Sequence, residues 1–226
     1  MFFTKNGEIV NLLGVKINSI IKFTEYKVFE NNYIALIDNE NKWFLYNENW
    51  ELLTDEQLKN KNLNYLGDDV FSSNTKKGLI IYDFKNKLQY EQYTDVKGDF
   101  SQTYIAVKKD GFWLYLDRNF KDVFNKRFLD ASPFKNNLAT IADHRGYSII
   151  GKDGLTKTLT SFPRINQINN NLFETSKRPF YGIFDSNGKT IIEPIYEKII
   201  VINSNLFQVI KDGEIHYFNL KGDKLY

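Results

Sequence analysis

The sequence predicts an all-β repeat protein, a propeller-like ring of about six short blades formed by residues 1–226 as one domain. Three observations carry that prediction. Turn positions recur at a fixed spacing, large apolar residues keep fixed offsets from them, and one strand of each unit is apolar on both faces. The turn positions are Gly7, Trp50, Asn86, Phe120, Gly154, Gly188 and Gly222, separated by 43, 36, 34, 34, 34 and 34 residues. A constant period marks a repeat architecture, in which a single unit cannot bury its hydrophobic face and its neighbours must cover it.

Each unit opens on a strand whose first apolar residue lies 16 positions before the turn, at Ile34, Val70, Tyr104, Leu138, Leu172 and Leu206. Upstream of the last five lies another apolar column, at Leu66, Phe100, Phe134, Ile168 and Ile202. The next strand starts with a large residue, at Trp43, Leu79, Trp113, Tyr147, Tyr181 and Ile215. Two residues into it, one face carries Leu45, Ile81, Tyr115, Ile149, Ile183 and Tyr217. The opposite face carries Tyr46, Tyr82, Leu116, Ile150, Phe184 and Phe218, so the strand is sandwiched between neighbours. Asn47, Asp83, Asp117, Gly151, Asp185 and Asn219 then open the turn, where an Asp or Asn side chain bonds the backbone two residues on. Glycine at the turn position accepts positive φ, but the copies at 50, 86 and 120 lack it. A third strand follows the turn ("KTIIE", 189–193), and a fourth lies near 198–202. Blades packed face to face suit the two-sided strand. An open β-solenoid of stacked hairpin units is the alternative, since 34 residues is short beside the ~40–50 of typical propeller blades. The chain starts late in one unit and stops within another, an offset that lets one blade be built from both ends.

The stretch "YGIFDSNGKTIIEPIYEKI" (181–199) resembles the WG, or KWG, repeat. Tyr181 stands at that family's Trp position, and Gly182, Asp185, Gly188, Lys189, Pro194 and Tyr196 match its pattern. The other copies depart from it: the residue after the aromatic is Phe44, Ile80, Leu114, Ser148 or His216. The resemblance therefore implies a degenerate array of six to seven units. It also implies a β-rich scaffold of bacterial proteins with binding roles, and it carries no catalytic residues.

Composition bounds the function. Lys and Arg total 30 against 28 acidic residues, and only five of the 30 are Arg, so no nucleic-acid partner is expected. The chain has no Cys, which removes disulfides, thiolate nucleophiles and Cys-type zinc sites. No apolar run reaches the ~18 residues of a spanning helix, and the first residues lack a signal-peptide pattern. A soluble, cytoplasmic chain that is monomeric on its own and free of the membrane is the expectation. His144 and His216 fall in different units without ligand spacing, so no metal, cofactor or triad is expected. "DSNGK" reaches its Gly too early for a calcium loop. Acidic pairs such as Asp68 with Asp69, or Glu51 with Asp55, read as solvated loops and not as acid–base machinery.

Function is expected where the repeats stop agreeing, because packing columns are constrained and loops are free to specialise. The long first spacing places extra residues around 23–32, with Glu25, Tyr26 and Glu30, and the second around 54–69, with a helical turn and Asp68 and Asp69. The Asn-rich links at 135–137, 169–171 and 203–205 offer Asn136, Asn170 and Asn203, and Asp99 precedes another unit. Trp50 replaces a turn glycine and is expected to be an exposed aromatic. These residues form the candidate surface of a non-enzymatic, protein-binding scaffold, in its most specific form a cytoplasmic immunity protein that blocks a toxin. A carbohydrate or small-ligand module built on Trp50 is the alternative.

Overall fold

The computed structural model describes residues 2–3, 9–10, 16–18, 23–53, 63–75, 78–159 and 164–225, the first three segments by backbone alone. Among these residues the strands form seven small antiparallel sheets in which each strand pairs with the next in the chain. The first sheet holds β1 (Phe2–Phe3), β2 (Ile9–Val10) and β3 (Lys16–Asn18). The second holds β4 (Phe23–Val28), β5 (Ile34–Asp38) and β6 (Trp43–Tyr46), and the third β7 (Leu63–Gly67), β8 (Val70–Thr75), β9 (Gly78–Asp83) and β10 (Leu88–Tyr90). The fourth holds β11 (Asp95–Lys97), β12 (Ile105–Lys109) and β13 (Phe112–Leu116), and the fifth β14 (Asp130–Ala131), β15 (Leu138–Asp143), β16 (Gly146–Gly151) and β17 (Thr156–Leu159). The sixth holds β18 (Arg164–Gln167), β19 (Leu172–Lys177), β20 (Phe180–Asp185) and β21 (Thr190–Tyr196), and the seventh β22 (Lys198–Asn203), β23 (Leu206–Lys211) and β24 (Glu214–Asn219).

A four-stranded up-and-down meander is the form of a propeller blade, so the fold is the all-β, propeller-like repeat that the period predicts. In the second, fourth and seventh sheets the fourth strand shrinks to isolated bridges, Tyr46 with Leu52, Leu116 with Asp122 and Trp113 with Phe128, and Phe218 with Lys224. The chain divides into two compact units, residues 1–92 and 93–226, both built from this sheet. The predicted columns fall on strand starts: Ile34, Val70, Leu138, Leu172 and Leu206 open β5, β8, β15, β19 and β23.

The two-sided strand is buried as expected in the second to sixth sheets, while Tyr217 and Phe218 of the seventh are half-buried. Leu45, Ile81, Tyr115, Ile149 and Ile183 are fully buried, and Tyr46, Tyr82, Leu116, Ile150 and Phe184 nearly so. Adjacent residues enter different cores. Ile150 joins Ala106, Trp113 and Tyr115 of the preceding sheet, whereas Ile149 joins Ile165, Phe173 and Phe184 of the following one. Likewise Phe184 faces back towards Ile149, while Ile183 packs on Phe207 and Val209 ahead of it. In the first unit Leu45 packs on Leu63, Phe71 and Tyr82 of the next sheet. At about 25 cal/mol per Å² of apolar surface, each such side chain contributes roughly 1.5–3 kcal/mol.

The turns after the two-sided strands share one geometry. Asp185 accepts the N–H groups of Asn187 and Lys189, both at 2.9 Å. Asp117 and Asn219 hold their turns in the same way. The turn position is left-handed, with φ of 84° at Gly188 and 88° at Gly222, but also 62° at Trp50 and 59° at Phe120. At 86 the expectation shifts by one residue: Leu88 pairs with Asp83, the turn is longer, and Lys87 takes the positive φ of 55°. Gly182 is required for a different reason. A Cβ there would lie 2.7 Å from the Ile192 carbonyl oxygen, beside the bulge where β20 meets β21.

The structure also corrects the expected insertion at 23–32. Residues 23–28 form β4, paired with β5 from Phe23–Asp38 to Val28–Ile34 with a bulge between Phe23 and Glu25, so most of this stretch is the first strand of its sheet, followed by a 3-10 turn at Glu30–Asn32. The helical turn expected within 54–69 falls largely outside the described residues, as does Gly7; residues 63–67 are β7.

A lysine clasp joins two pairs of successive sheets. Lys97 Nζ lies 4.1 Å from the Trp113 ring centroid and donates to Asp130 at 2.8 Å and to the Ala131 carbonyl at 3.0 Å, both in the next sheet. Lys27 repeats the arrangement, lying near Phe29 and Trp43 and donating to the Leu63 carbonyl at 3.0 Å. Burial pushes the Asp130 carboxyl up, but Lys97, the Tyr147 hydroxyl and the Ala131 N–H together hold it below its usual range. A carboxylate depressed on folding adds stability above its unfolded pKa of about 3.9 and loses it as pH falls through the lower folded value. Lys97→Met is therefore expected to cost about 1 kcal/mol at pH 7, with the gap to wild type narrowing in acid as Asp130 protonates; urea titrations across pH measure it.

Ser73 is fully buried, and its hydroxyl has no hydrogen-bond partner among the described residues. The same column holds Ile37, Val107, Ile141 and Val209 in other sheets. An unsatisfied buried hydroxyl costs about 1–3 kcal/mol, so Ser73→Val is expected to raise the denaturation midpoint by an amount in that range.

Candidate functional site

The residue pairs that lead into the second strands of five sheets form tight turns, Asp68–Asp69 in the first unit and a row of Gln102–Thr103, Asn136–Asn137, Asn170–Asn171 and Ser204–Asn205 in the second. Asp68, Asp69, Thr103, Asn136 and Asn137 all have positive φ, between 49° and 84°. Asn and Asp tolerate that region because a short polar side chain can bond locally, which explains why these links are polar.

Four of the expected surface residues are therefore residues of these turns. Asp68, Asn136 and Asn170 are exposed, and Asp69 is half-buried, taking the Tyr33 hydroxyl on its carboxylate and the Phe84 N–H on its carbonyl at 3.1 Å. Within the second unit the row joins across sheets: Asn136 donates to Asn170, and Gln167 donates to the Lys135 carbonyl at 3.2 Å and to the Asn169 carbonyl at 3.0 Å. Asn203 is exposed beside the row and accepts the Asn205 N–H at 2.8 Å. Asp99 caps a short 3-10 turn at Phe100–Gln102 by accepting the Ser101 N–H at 2.8 Å.

The other candidates lie apart from these contacts. Glu25 and Tyr26 project from β4, with Tyr26 51% exposed, and Glu30 opens a 3-10 turn. Trp50 is not the exposed aromatic expected of it. The left-handed turn folds its ring back onto Tyr46, centroids 5.6 Å apart, where it packs half-buried beside Ile34, Leu36 and Phe44.

One cleft of about 280 Å³ opens beside the row, between the sixth and seventh sheets. Its rim is polar, with Asn169, Asn171, Asp185, Lys189, Ser204 and Asn205, and its floor is Leu172, Ile191 and Leu220. The Oδ1 atoms of Asn169 and Asn171 are held in local turns, by the N–H groups of Asn171 and Leu172 and by the Ser186 hydroxyl. Their NH2 groups are left as donors. The Lys189 ammonium has no ion-pair or hydrogen-bond partner among the described residues. Asn169, Asn171, Ser204 and Asn205 lie in the Asn-rich links expected to carry function, although the candidates named there are Asn170 and Asn203. The signal that points to them is a change of residue type in the row, from Asn136 and Asn170 to Ser204. Among the described residues no three His, Cys, Asp or Glu side chains gather as a metal would require, and no helix is long and apolar enough to cross a membrane.

Residues 181–214 match the family described as WG containing repeat, so the resemblance read from Tyr181 onward holds at that copy. No curated protein matches the chain. Among solved structures, Kluyveromyces lactis Hsv2 with its complete loop 6CD aligns at 12% identity over 88% of this chain and 73% of its own, with a TM-score of 0.48. A eukaryotic initiation factor aligns at 15% identity over 90% and 66%, with a TM-score of 0.46. Dihydro-heme d1 dehydrogenase NirN, in complex with DHE, aligns at 11% identity over 97% and 57%, with a TM-score of 0.45.

Proposed function

We propose that this chain, which carries a WG containing repeat, is a non-enzymatic scaffold that binds another protein through its row of polar turns. In its most specific form it is a bacterial, cytoplasmic immunity protein that holds and blocks a toxin. The supporting observation is the contrast between columns and turns. Most packing columns keep their apolar character from sheet to sheet, while the polar turns change in residue type and backbone, from Asn136–Asn137, left-handed at both residues, to Ser204–Asn205, left-handed at neither. Surface that varies on a rigid frame is where specificity resides. Amides and short side chains at the rim suit the polar contacts of a protein interface. The carbohydrate reading loses its aromatic platform, because Trp50 is packed on Tyr46.

Co-expression tests this reading. If the neighbouring gene encodes a toxin, this chain is expected to restore growth and to copurify with it in a stable complex. Asn136→Arg on the exposed turn should weaken that complex by about tenfold while the chain stays folded, its melting temperature falling only by what the lost bond to Asn170 and the left-handed backbone cost. Absence of both growth rescue and complex would overturn the proposal.

A further inference from the structure

We propose that the cleft between the sixth and seventh sheets is a docking site for an extended, uncharged peptide segment bearing one aliphatic side chain. The inference rests on the protein-binding reading above and names the chemistry of one contact.

Comparison with the neighbouring junction shows what leaves the cleft open. Between the fifth and sixth sheets, the equivalent junction is bridged by Asn136 donating to Asn170 and by Gln167 donating to the Lys135 carbonyl. One period later those bridging positions are Ser204, too short to reach Asn170 as an Asn does, and Val201, which has no donor. Both bridges are thus absent at this junction, where the polar and apolar lining residues are left open. Gly222 brings the seventh sheet close at this point, since a Cβ there would lie 2.6 Å from the Ile191 carbonyl oxygen.

The lining selects the guest. Lys189 and the NH2 groups of Asn169 and Asn171 are donors for peptide carbonyls, while Asp185 and Asn205 offer acceptors for peptide N–H groups. An extended backbone presents both in alternation. The Asp185 carboxylate sits on the same rim as Lys189, which offsets the positive charge and disfavours an acidic guest. A sugar ring is disfavoured too, because no aromatic side chain lines the cleft on which its apolar face could stack. Leu172, Ile191 and Leu220 suit a branched aliphatic side chain instead.

The test is an NMR titration of the isotopically labelled full chain with three probes: acetyl-Gly-Leu-Gly-amide, acetyl-Gly-Asp-Gly-amide and N-acetylglucosamine. The leucine peptide is expected to shift the side-chain amide signals of Asn169, Asn171 and Asn205 and the methyls of Leu172, Ile191 and Leu220, with saturation. The other two probes should bind at least about fivefold more weakly. The double variant Val201→Gln, Ser204→Asn restores both bridges, and it should lose the leucine peptide about tenfold while its melting temperature holds or rises. Lys189→Gln, on an exposed turn, should weaken binding about threefold and serves if the double variant does not fold. Saturable binding of the sugar or the acidic peptide in preference, no saturable binding of the leucine peptide, or a bridged variant that binds like wild type would each overturn the proposal. A protein partner whose affinity the bridged variant leaves unchanged would overturn the cleft but keep the scaffold. Peptide binding without any protein partner would do the reverse.

Discussion

Double-sided burial of the second strand is the constraint on which the rest of the structure depends. In β16, consecutive residues Ile149 and Ile150 serve two different cores, one shared with the sheet ahead and one with the sheet behind. β20 does the same with Ile183 and Phe184. Side chains alternate across a strand, so a single strand joins two cores only if sheets are packed on both of its faces. Each sheet is therefore stable as a neighbour and not alone, which ties the spacing of the sequence to the spacing of the sheets. The seventh sheet is instructive, because its Tyr217 and Phe218 are only half-buried where the equivalent pairs are buried.

Turns are the part of the unit freed from that constraint, and the chain uses them unevenly. Most keep an Asp or Asn that bonds its own loop, as Asp117, Asp185 and Asn219 do. Left-handed backbone persists even where glycine has been replaced, and Trp50 and Phe120 offset its cost by packing their rings on Tyr46 and Phe100. The polar row before each second strand links the fifth and sixth sheets through Asn136 and Asn170 and leaves the next junction open at Ser204. Regular packing holds the sheets together, and side chains in the turns decide which junctions are bridged.

Much of the fold was legible in the sequence because packing repeats leave apolar residues in phase. Strand starts at Ile34, Val70, Leu138, Leu172 and Leu206 could be read from the period, as could both buried faces. What the period could not give was side-chain direction within turns. Trp50 occupies a glycine column, yet its positive φ turns the ring inward. Residues 23–32 looked like an insertion because alignment gaps have no fixed place in a sequence, and strand pairing puts β4 there. The lysine clasp has no sequence signature for another reason. Lys27 and Lys97 stand in a column that is otherwise Leu63, Ala131, Ile165 and Ile199, and only the structure shows each ammonium near a Trp and bonded to the following sheet. The cleft was hidden likewise, since Ser204 and Val201 acquire meaning only beside the bridges made by Asn136 and Gln167.

The most direct measurement of the central claim compares two adjacent truncations by amide hydrogen exchange. Removing a buried Ile side chain to Ala costs about 2–5 kcal/mol and loosens the core it enters. With separate cores on the two faces of β16, Ile149→Ala accelerates exchange in β19 and β20, whereas Ile150→Ala accelerates it in β12 and β13. If both substitutions loosened the same strands, or only β15 to β17, the two-core account would be contradicted.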